Sequence, residues 1–249
     1  MSHSLESIRI VLLNTFHPGN IGAVARAMKT MGLKELVLVD PADYPSSEAT
    51  SRAAGAADVL ANAKVVNNFD EATFDCTQVF ATTARQKHRY GGPQKSCYQA
   101  SQWIRAHNQE KVAIVFGRER TGMSAQDISL CHQILYIPGN PEYDILNLAA
   151  AVQIVCYELN KTFSEGGKEL DNQKIGEEGK KKSTDGLVNQ QDLNHFYQQL
   201  ESSLETSGYL NPEQPSDTMK RLRQFFNRAN PTTADIGMMR GVTKALGGK

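Results

Sequence analysis

An α/β domain with a mostly parallel sheet covered on both faces, followed by a small helical module, is what this sequence predicts. Three observations carry the prediction: short apolar runs without polar alternation, helical patterns between them, and an abrupt change of composition near residue 165. Strands buried on both faces lose the alternation of a half-exposed strand, and intervening helices supply the crossovers that parallel pairing needs.

The elements follow in order. Ile8–Leu13 is apolar except for Arg9 and reads as the first strand. It ends before a turn at Pro18-Gly19-Asn20, and a helical pattern runs from Ile21 to Met31 with Asn20 at its start. Steps of ~100° per residue place Ile21, Val24, Ala25, Met28 and Met31 on one face, and Gly22, Arg26 and Lys29 on the opposite, open face. Leu36–Val39, Val79–Ala81, Val112–Phe116 and Ile134–Ile137 are further strands, with Lys64–Val66 as a weaker one. Helical patterns occupy Ser47–Ala54, Tyr98–Ala106 and Ser124–Cys131, and a long apolar helix, Asn147–Leu159, closes the domain over residues 1–164. Residues 165–188, rich in glycine and charge, read as a flexible linker. Residues 189–249 form a helical domain: Gln190–Ser207 carries Leu193, Phe196, Tyr197, Leu200 and Leu204 at helical spacing, and helices follow from Asp217 to Asn227 and from Asp235. Between Asp217 and Lys249, seven Lys or Arg outnumber two Asp, which suits a solvated face or a phosphate-contacting surface.

Bulk properties exclude several classes. The 27 basic and 27 acidic residues of this 249-residue chain cancel, so any nucleic-acid surface must be local. No apolar run approaches the ~20 residues of a membrane helix, and Met1-Ser-His-Ser-Leu-Glu6 has no signal-peptide pattern. Cys76, Cys97, Cys131 and Cys156 lie far apart, and Cys131-His132 has no second pair at zinc spacing. Reduced structural thiols in a cytoplasmic protein, and no metal, are expected.

In open α/β sheets, ligands sit beyond the carboxyl ends of the strands. Four polar, glycine- or hydroxyl-bearing segments fall there: Asn14 to Gly22, Thr82-Thr83-Ala84-Arg85, Gly117-Arg118-Glu119-Arg120-Thr121-Gly122, and Pro138 to Asn147. The chain has no GxxxxGK[ST] and no GxGxxG after its first strand, which disfavours a P-loop NTPase and an ordinary dinucleotide fold. His17, the one histidine in these loops, has no evident nucleophile partner. Main-chain donors and acceptors there suit a heterocycle plus ribose better than a triphosphate.

The segments NTFHPGNIGAVARAMKTMG, IVFGRERTGM and IPGNPEYDILNLAAAVQIVCYEL, in that order, closely resemble the three motifs of the SPOUT-class (SpoU/TrmH-type) RNA 2′-O-ribose methyltransferases. The likeness covers about residues 7 to 160. It is strongest to the branch that methylates cytidine or uridine at position 32 of tRNA, whose helical tail the C-terminal residues also resemble. The resemblance implies a trefoil knot, a homodimer, a tRNA substrate and S-adenosylmethionine as cosubstrate. It implies cofactor contacts from Thr82, Thr83, Ala84, Gly117, Ile137, Asp144, Ile145 and Leu146. Asn20 and Arg26 take the catalytic positions, and Asn14, Gly22, Arg118 and Glu119 the substrate side. For Asn20, helix capping competes with a grip on the ribose. Glu119 would orient Arg118 or Arg120, or bridge to a dimer partner. Many relatives carry a serine before Leu-Asn of the third motif; this chain has Ile145, so no catalytic serine transfers. The rival readings are a methyltransferase for ribosomal RNA or another tRNA position, and a non-catalytic RNA-binding relative.

Overall fold

The computed structural model describes residues 5–84, 92–107, 110–164, 186–214 and 216–247. Seven strands form one sheet: β1 (Ile8–Leu13), β2 (Glu35–Val39), β3 (Lys64–Val66), β4 (Gln78–Thr82), β5 (Gln94–Ser96), β6 (Val112–Phe116) and β7 (Gln133–Tyr136). Their order is β3-β2-β1-β6-β4-β7-β5, and every pairing is parallel. The helices of this part are α1 (Pro18–Thr30), α2 (Ser47–Ala53), α3 (Ala57–Ala61), α4 (Phe69–Thr73), α5 (Cys97–Ala106), α6 (Ala125–Ser129) and α7 (Leu148–Ser164).

The missing alternation has the expected cause. All six β1 residues are buried. Ile8, Ile10 and Leu12 pack into a layer with α1, α2, α5 and α7, while Val11 and Leu13 pack into the opposite layer with α4 and α6. Local chemistry starts the helices. Pro18 stands at the first turn of α1, where its fixed φ and absent N–H cost nothing. Ser96 with Gln99, and Ser124 with Asp127, close capping boxes on α5 and α6.

Two differences from expectation concern short elements. β5 is a polar edge strand, Gln-Lys-Ser, held only by its register against β7, so no apolar run announces it. The helix α1 begins three residues earlier than the pattern suggested, which puts Asn20 inside its first turn and His17 at the cap. Asn20 is therefore not the capping residue.

Arg85 and most of the expected linker, 165–185, lie outside the described residues. Residues 186–188 do not behave as linker. Val188 is buried in the core of the helical unit, its N–H donating to Pro231 O.

That unit comprises α8 (Gln190–Thr206), α9 (Thr218–Ala229) and α10 (Thr233–Gly247) around Leu193, Phe196, Tyr197, Phe226 and Ile236. It docks at the amino ends of β4 and β7. The N–H groups of Gln190 and Gln191 donate to Cys76 O and Phe74 O at 2.9 and 3.0 Å. Asn227 Nδ2 donates to Cys131 O at 3.0 Å, and Gln78 Nε2 to Asn230 Oδ1 at 3.1 Å. Not all of its basic residues are open: Arg223 lies over the Tyr197 ring at 4.4 Å, and Lys220 pairs with Asp217.

Candidate active site

The four segments singled out at the carboxyl ends of β1, β4, β6 and β7 converge on one cleft of about 580 Å³. Thr82, Thr83, Ala84, Gly117, Ile137, Asp144, Ile145 and Leu146 all line it, with Asn20, Arg118 and Glu119. Parallel strands explain the convergence, because each strand ends at the same side of the sheet. The deeper wall is neutral and built on main chain. Thr82 Oγ1 donates to Val115 O at 2.9 Å, and Thr83 N donates to Leu135 O at 3.1 Å. At Gly117 a Cβ would stand 2.3 Å from the carbonyl carbon of Gly122, so only glycine lets the 117–122 turn close. The segment after β7 supplies the rim, where Ile145 is 70% exposed.

Glu119 is the hub of this site, in a role the sequence did not indicate. Its carboxylate accepts from the N–H groups of Phe16 and His17, each at 3.1 Å, and from Asn20 Nδ2 at 3.0 Å. It therefore anchors the entry to α1 from a loop about a hundred residues away, with the amide of the N-cap residue His17 among its donors and its charge beside the positive end of the helix. Burial works to raise the Glu119 carboxyl; the bonds from Asn20, Phe16 and His17 and its own N–H outweigh it and hold the group below the ordinary glutamate value. Asn20 in turn accepts from Asn147 Nδ2 at 3.3 Å, and Asn147 Oδ1 accepts from Ala149 N at the start of α7. One polar chain thus ties together the loops after β1, β6 and β7.

Arg118 is equally committed. It donates to Asn14 Oδ1 at 2.6 Å and pairs with Asp127 at 3.1 Å. Asn14, in the left-handed region at φ 44°, also donates to Asp40 Oδ2 at 2.9 Å. Glu119 does not orient Arg118 or Arg120 by hydrogen bond, as had been expected; its partners are on α1.

The position of Gly22 requires a correction. It is buried, not open, and a Cβ there would lie 2.0 Å from Ala49 O. What comes close to this glycine is helix α2. Lys29 is similarly occupied, by Asp58 and Gly55 O. Arg26 is exposed, as the helical spacing indicated; it stands outside the cleft and its guanidinium makes no hydrogen bond or ion pair among the described residues.

All four cysteines are buried free thiols. His132, beside Cys131, accepts from Val79 N through Nδ1, and burial pushes its pKa down to about 4. Among the described residues, no three His, Cys, Asp or Glu side chains gather at metal-binding distance. No helix among them is long and apolar enough to cross a membrane.

Comparison with known proteins agrees with this geometry. Residues 7–157 match the SpoU rRNA Methylase family, and residues 191–248 match the C-terminal domain of the tRNA methyltransferase TrmJ. The tRNA (cytidine/uridine-2'-O-)-methyltransferase TrmJ of Pectobacterium atrosepticum is 40% identical over 245 residues, covering 97% of each chain. Its Klebsiella pneumoniae counterpart is 39% identical over 243 residues, again 97% of each. The crystal structure of TrmJ from Z. mobilis superposes with a TM-score of 0.80 at 34% identity, covering 96% of this chain and 98% of that one. A more distant SpoU methyltransferase, AviRb from Streptomyces viridochromogenes in complex with the cofactor AdoMet, shares the fold at 21% identity and a TM-score of 0.53, covering 65% and 62% of the two chains. By motif, fold and near full-length similarity, the chain belongs to the SpoU methylase family.

Proposed function

We propose that this chain transfers a methyl group from S-adenosylmethionine to the ribose 2′-hydroxyl of cytidine or uridine at position 32 of tRNA. The observation that carries the proposal is that all eight residues expected around the cofactor line one cleft. Its volume of about 580 Å³ falls within the ~300–1,000 Å³ of small-molecule sites. Its neutral, main-chain-rich inner wall suits an adenosine and the Gly117 turn brings backbone close to it. The helical tail, similar to that of TrmJ, supports tRNA over ribosomal RNA.

Bound S-adenosylmethionine supplies an electrophilic methyl group. The protein must then place the ribose hydroxyl in line with it, and positioning of that kind is worth ~7–11 kcal/mol. Asn20, held by Glu119 and Asn147, fixes the wall of the cleft rather than standing ready as a base. A guanidinium keeps its proton at physiological pH. Arg26 therefore acts through charge: it grips the phosphate beside the target ribose and stabilises the developing alkoxide, while the proton leaves to a phosphate oxygen or water. Because Arg26 stands outside the cleft of its own chain, a homodimer in which one protomer's α1 faces its partner's cleft is the arrangement that brings this charge to the hydroxyl. The knotted topology and a cytoplasmic location with reduced thiols belong to the same proposal.

The test is transfer of tritiated methyl groups from S-adenosylmethionine to bulk tRNA, followed by mapping of the modified nucleoside. Label in 2′-O-methylcytidine or 2′-O-methyluridine at position 32 is the expected result. Binding of S-adenosylmethionine and tRNA without transfer would identify a non-catalytic relative instead, and label at another site would correct the substrate.

A further inference from the structure

The arginines of residues 5–164 fall into two groups among the described residues. Arg9 is clamped by Glu35 and Asp75, Arg105 donates to Thr162 O, and Arg118 is held by Asn14 and Asp127. The guanidinium groups of Arg26, Arg52 and Arg120 make no hydrogen bond, ion pair or ring contact among the described residues, and all three residues are exposed. The three unengaged guanidinium groups are not scattered. Arg26 is on α1, and the other two flank the first turn of that helix.

Arg52 reaches the turn through helix packing. The side of α2 that carries Glu48 and Arg52 lies over Gly19, with Arg52 Cγ 3.6 Å from where a Cβ on Gly19 would stand. The adjoining row, Ala49 and Ala53, presses on Gly22, so α2 is fixed against α1 by backbone contact. Glu48 shares the Gly19 contact yet forms no ion pair with Arg52. Arg120 reaches the same turn through the chain. Its neighbour Glu119 is bonded to Phe16 N and His17 N, while Arg120 itself lines the cleft. Both arginines therefore have rigid supports and free heads. Long cationic side chains left unpaired on both sides of one helix end suit a chain of anions better than a single small ligand.

We infer that Arg52 and Arg120 each contact a backbone phosphate of the RNA substrate, extending the track that begins at Arg26 across the first turn of α1. The inference rests on the functional proposal above. It makes Arg120, rather than Arg118 or Glu119, the member of the Arg-Glu-Arg run that faces substrate. The ligand assigned to Arg120 is a phosphate and not the cofactor's carboxylate, because Arg120 is exposed while the inner wall of the cleft is neutral.

The test uses the full chain and measures binding of tRNA and of S-adenosylmethionine at several salt concentrations. Arg52→Ala and Arg120→Ala should each raise the tRNA Kd ~5-fold at moderate salt and lower the slope of log Kd against log salt by about one. Arg52→Lys and Arg120→Lys should recover most of the slope, and the S-adenosylmethionine Kd should stay at the wild-type value throughout. An unchanged tRNA Kd and slope in both alanine variants overturns the inference. So does a weakened S-adenosylmethionine Kd in Arg120→Ala, which would place the cofactor carboxylate there. If wild type itself binds no tRNA, the functional proposal fails, and this inference with it. Both sites are exposed, so thermal unfolding of the variants should match wild type.

Discussion

The two ends of the sheet hold similar residue types in opposite states. At the amino end, Arg9 is 2% exposed and donates to Glu35, Asp75 and Ala72 O, while Lys111 pairs with Asp75 at 2.5 Å. The same end receives the helical tail through amide and main-chain bonds. At the carboxyl end, Glu119 and Arg118 are spent on framework, but the guanidinium groups of Arg26, Arg52 and Arg120 are left unpaired among the described residues. Arg9 is part of the fold, as Arg118 is at the other end, while Arg26, Arg52 and Arg120 are available to a ligand. Residue type does not separate the two cases, whereas prior engagement does.

That contrast can be broken most severely at Arg26. Arg26→Ala should lower single-turnover methylation by ~10²–10³-fold, comparable to loss of a preorganised charge-stabilising group, with thermal stability unchanged. Arg26→Lys separates charge from basicity. A near-wild-type rate with an acid-shifted pH profile would sink the phosphate-clamp account. At the other end the effect should fall on stability. Arg9→Ala removes the buried partner of Glu35 and Asp75, leaving them Lys111, and should cost ~3 kcal/mol in denaturant unfolding, with the turnover of folded protein near wild type.

The acid response sharpens the same comparison. Burial tends to raise the Asp75 carboxyl, yet hydrogen bonds from Arg9 and Lys111 pull it down to about 2. A depressed folded-state pKa means that the stabilisation is present above the ordinary aspartate value near 3.8 and is lost as pH falls toward 2. Asp75→Asn should therefore be less stable than wild type at neutral pH, and the two unfolding curves should converge below pH ~3. Parallel curves down to pH ~2 would refute the assignment.

Smaller effects are expected where the cleft meets its supports. Gly22→Ala drives a methyl into the Ala49 carbonyl and should cost ~1–3 kcal/mol as α2 shifts. If the substitution is neutral, the α1–α2 contact is looser than described. Glu119→Gln keeps the shape but loses the charge at the α1 terminus, for ~1 kcal/mol of stability. It should also weaken S-adenosylmethionine binding several-fold. Glu119 is held below the ordinary glutamate value, so wild-type affinity should be steady above pH ~5 and fall as pH drops through the carboxyl's own range. Calorimetry against pH would read both.

Much of this is legible in the sequence. Periodicity is a local property, so β1, β3 and β6 were placed to the residue, and most other elements within one to three. Parallel strands oblige their following loops onto one edge, so the cleft and the eight lining residues expected around a cofactor could be named from the sequence and the family likeness together. The helical wheel found the exposed face of Arg26 but misjudged Gly22, because it cannot know that a second helix covers that stripe. Five-residue helices such as α3 and α4, and the polar edge strand β5, gave too few positions for a period to show.

What the sequence determined by itself was the order of strands and helices, the family motifs, and the set of residues at the carboxyl edge. Those follow from spacing over a few residues. Only the tertiary structure decided which of those residues were already spoken for. Glu119 meets Phe16 across 103 residues, Arg118 meets Asn14 across 104, and Gln78 meets Asn230 across 152. Such partners are set by how the layers pack, and no local pattern encodes them. The fold thereby makes struts of Arg118 and Glu119, the two substrate-side candidates of the Arg-Glu-Arg run, and leaves Arg120 as its open cation.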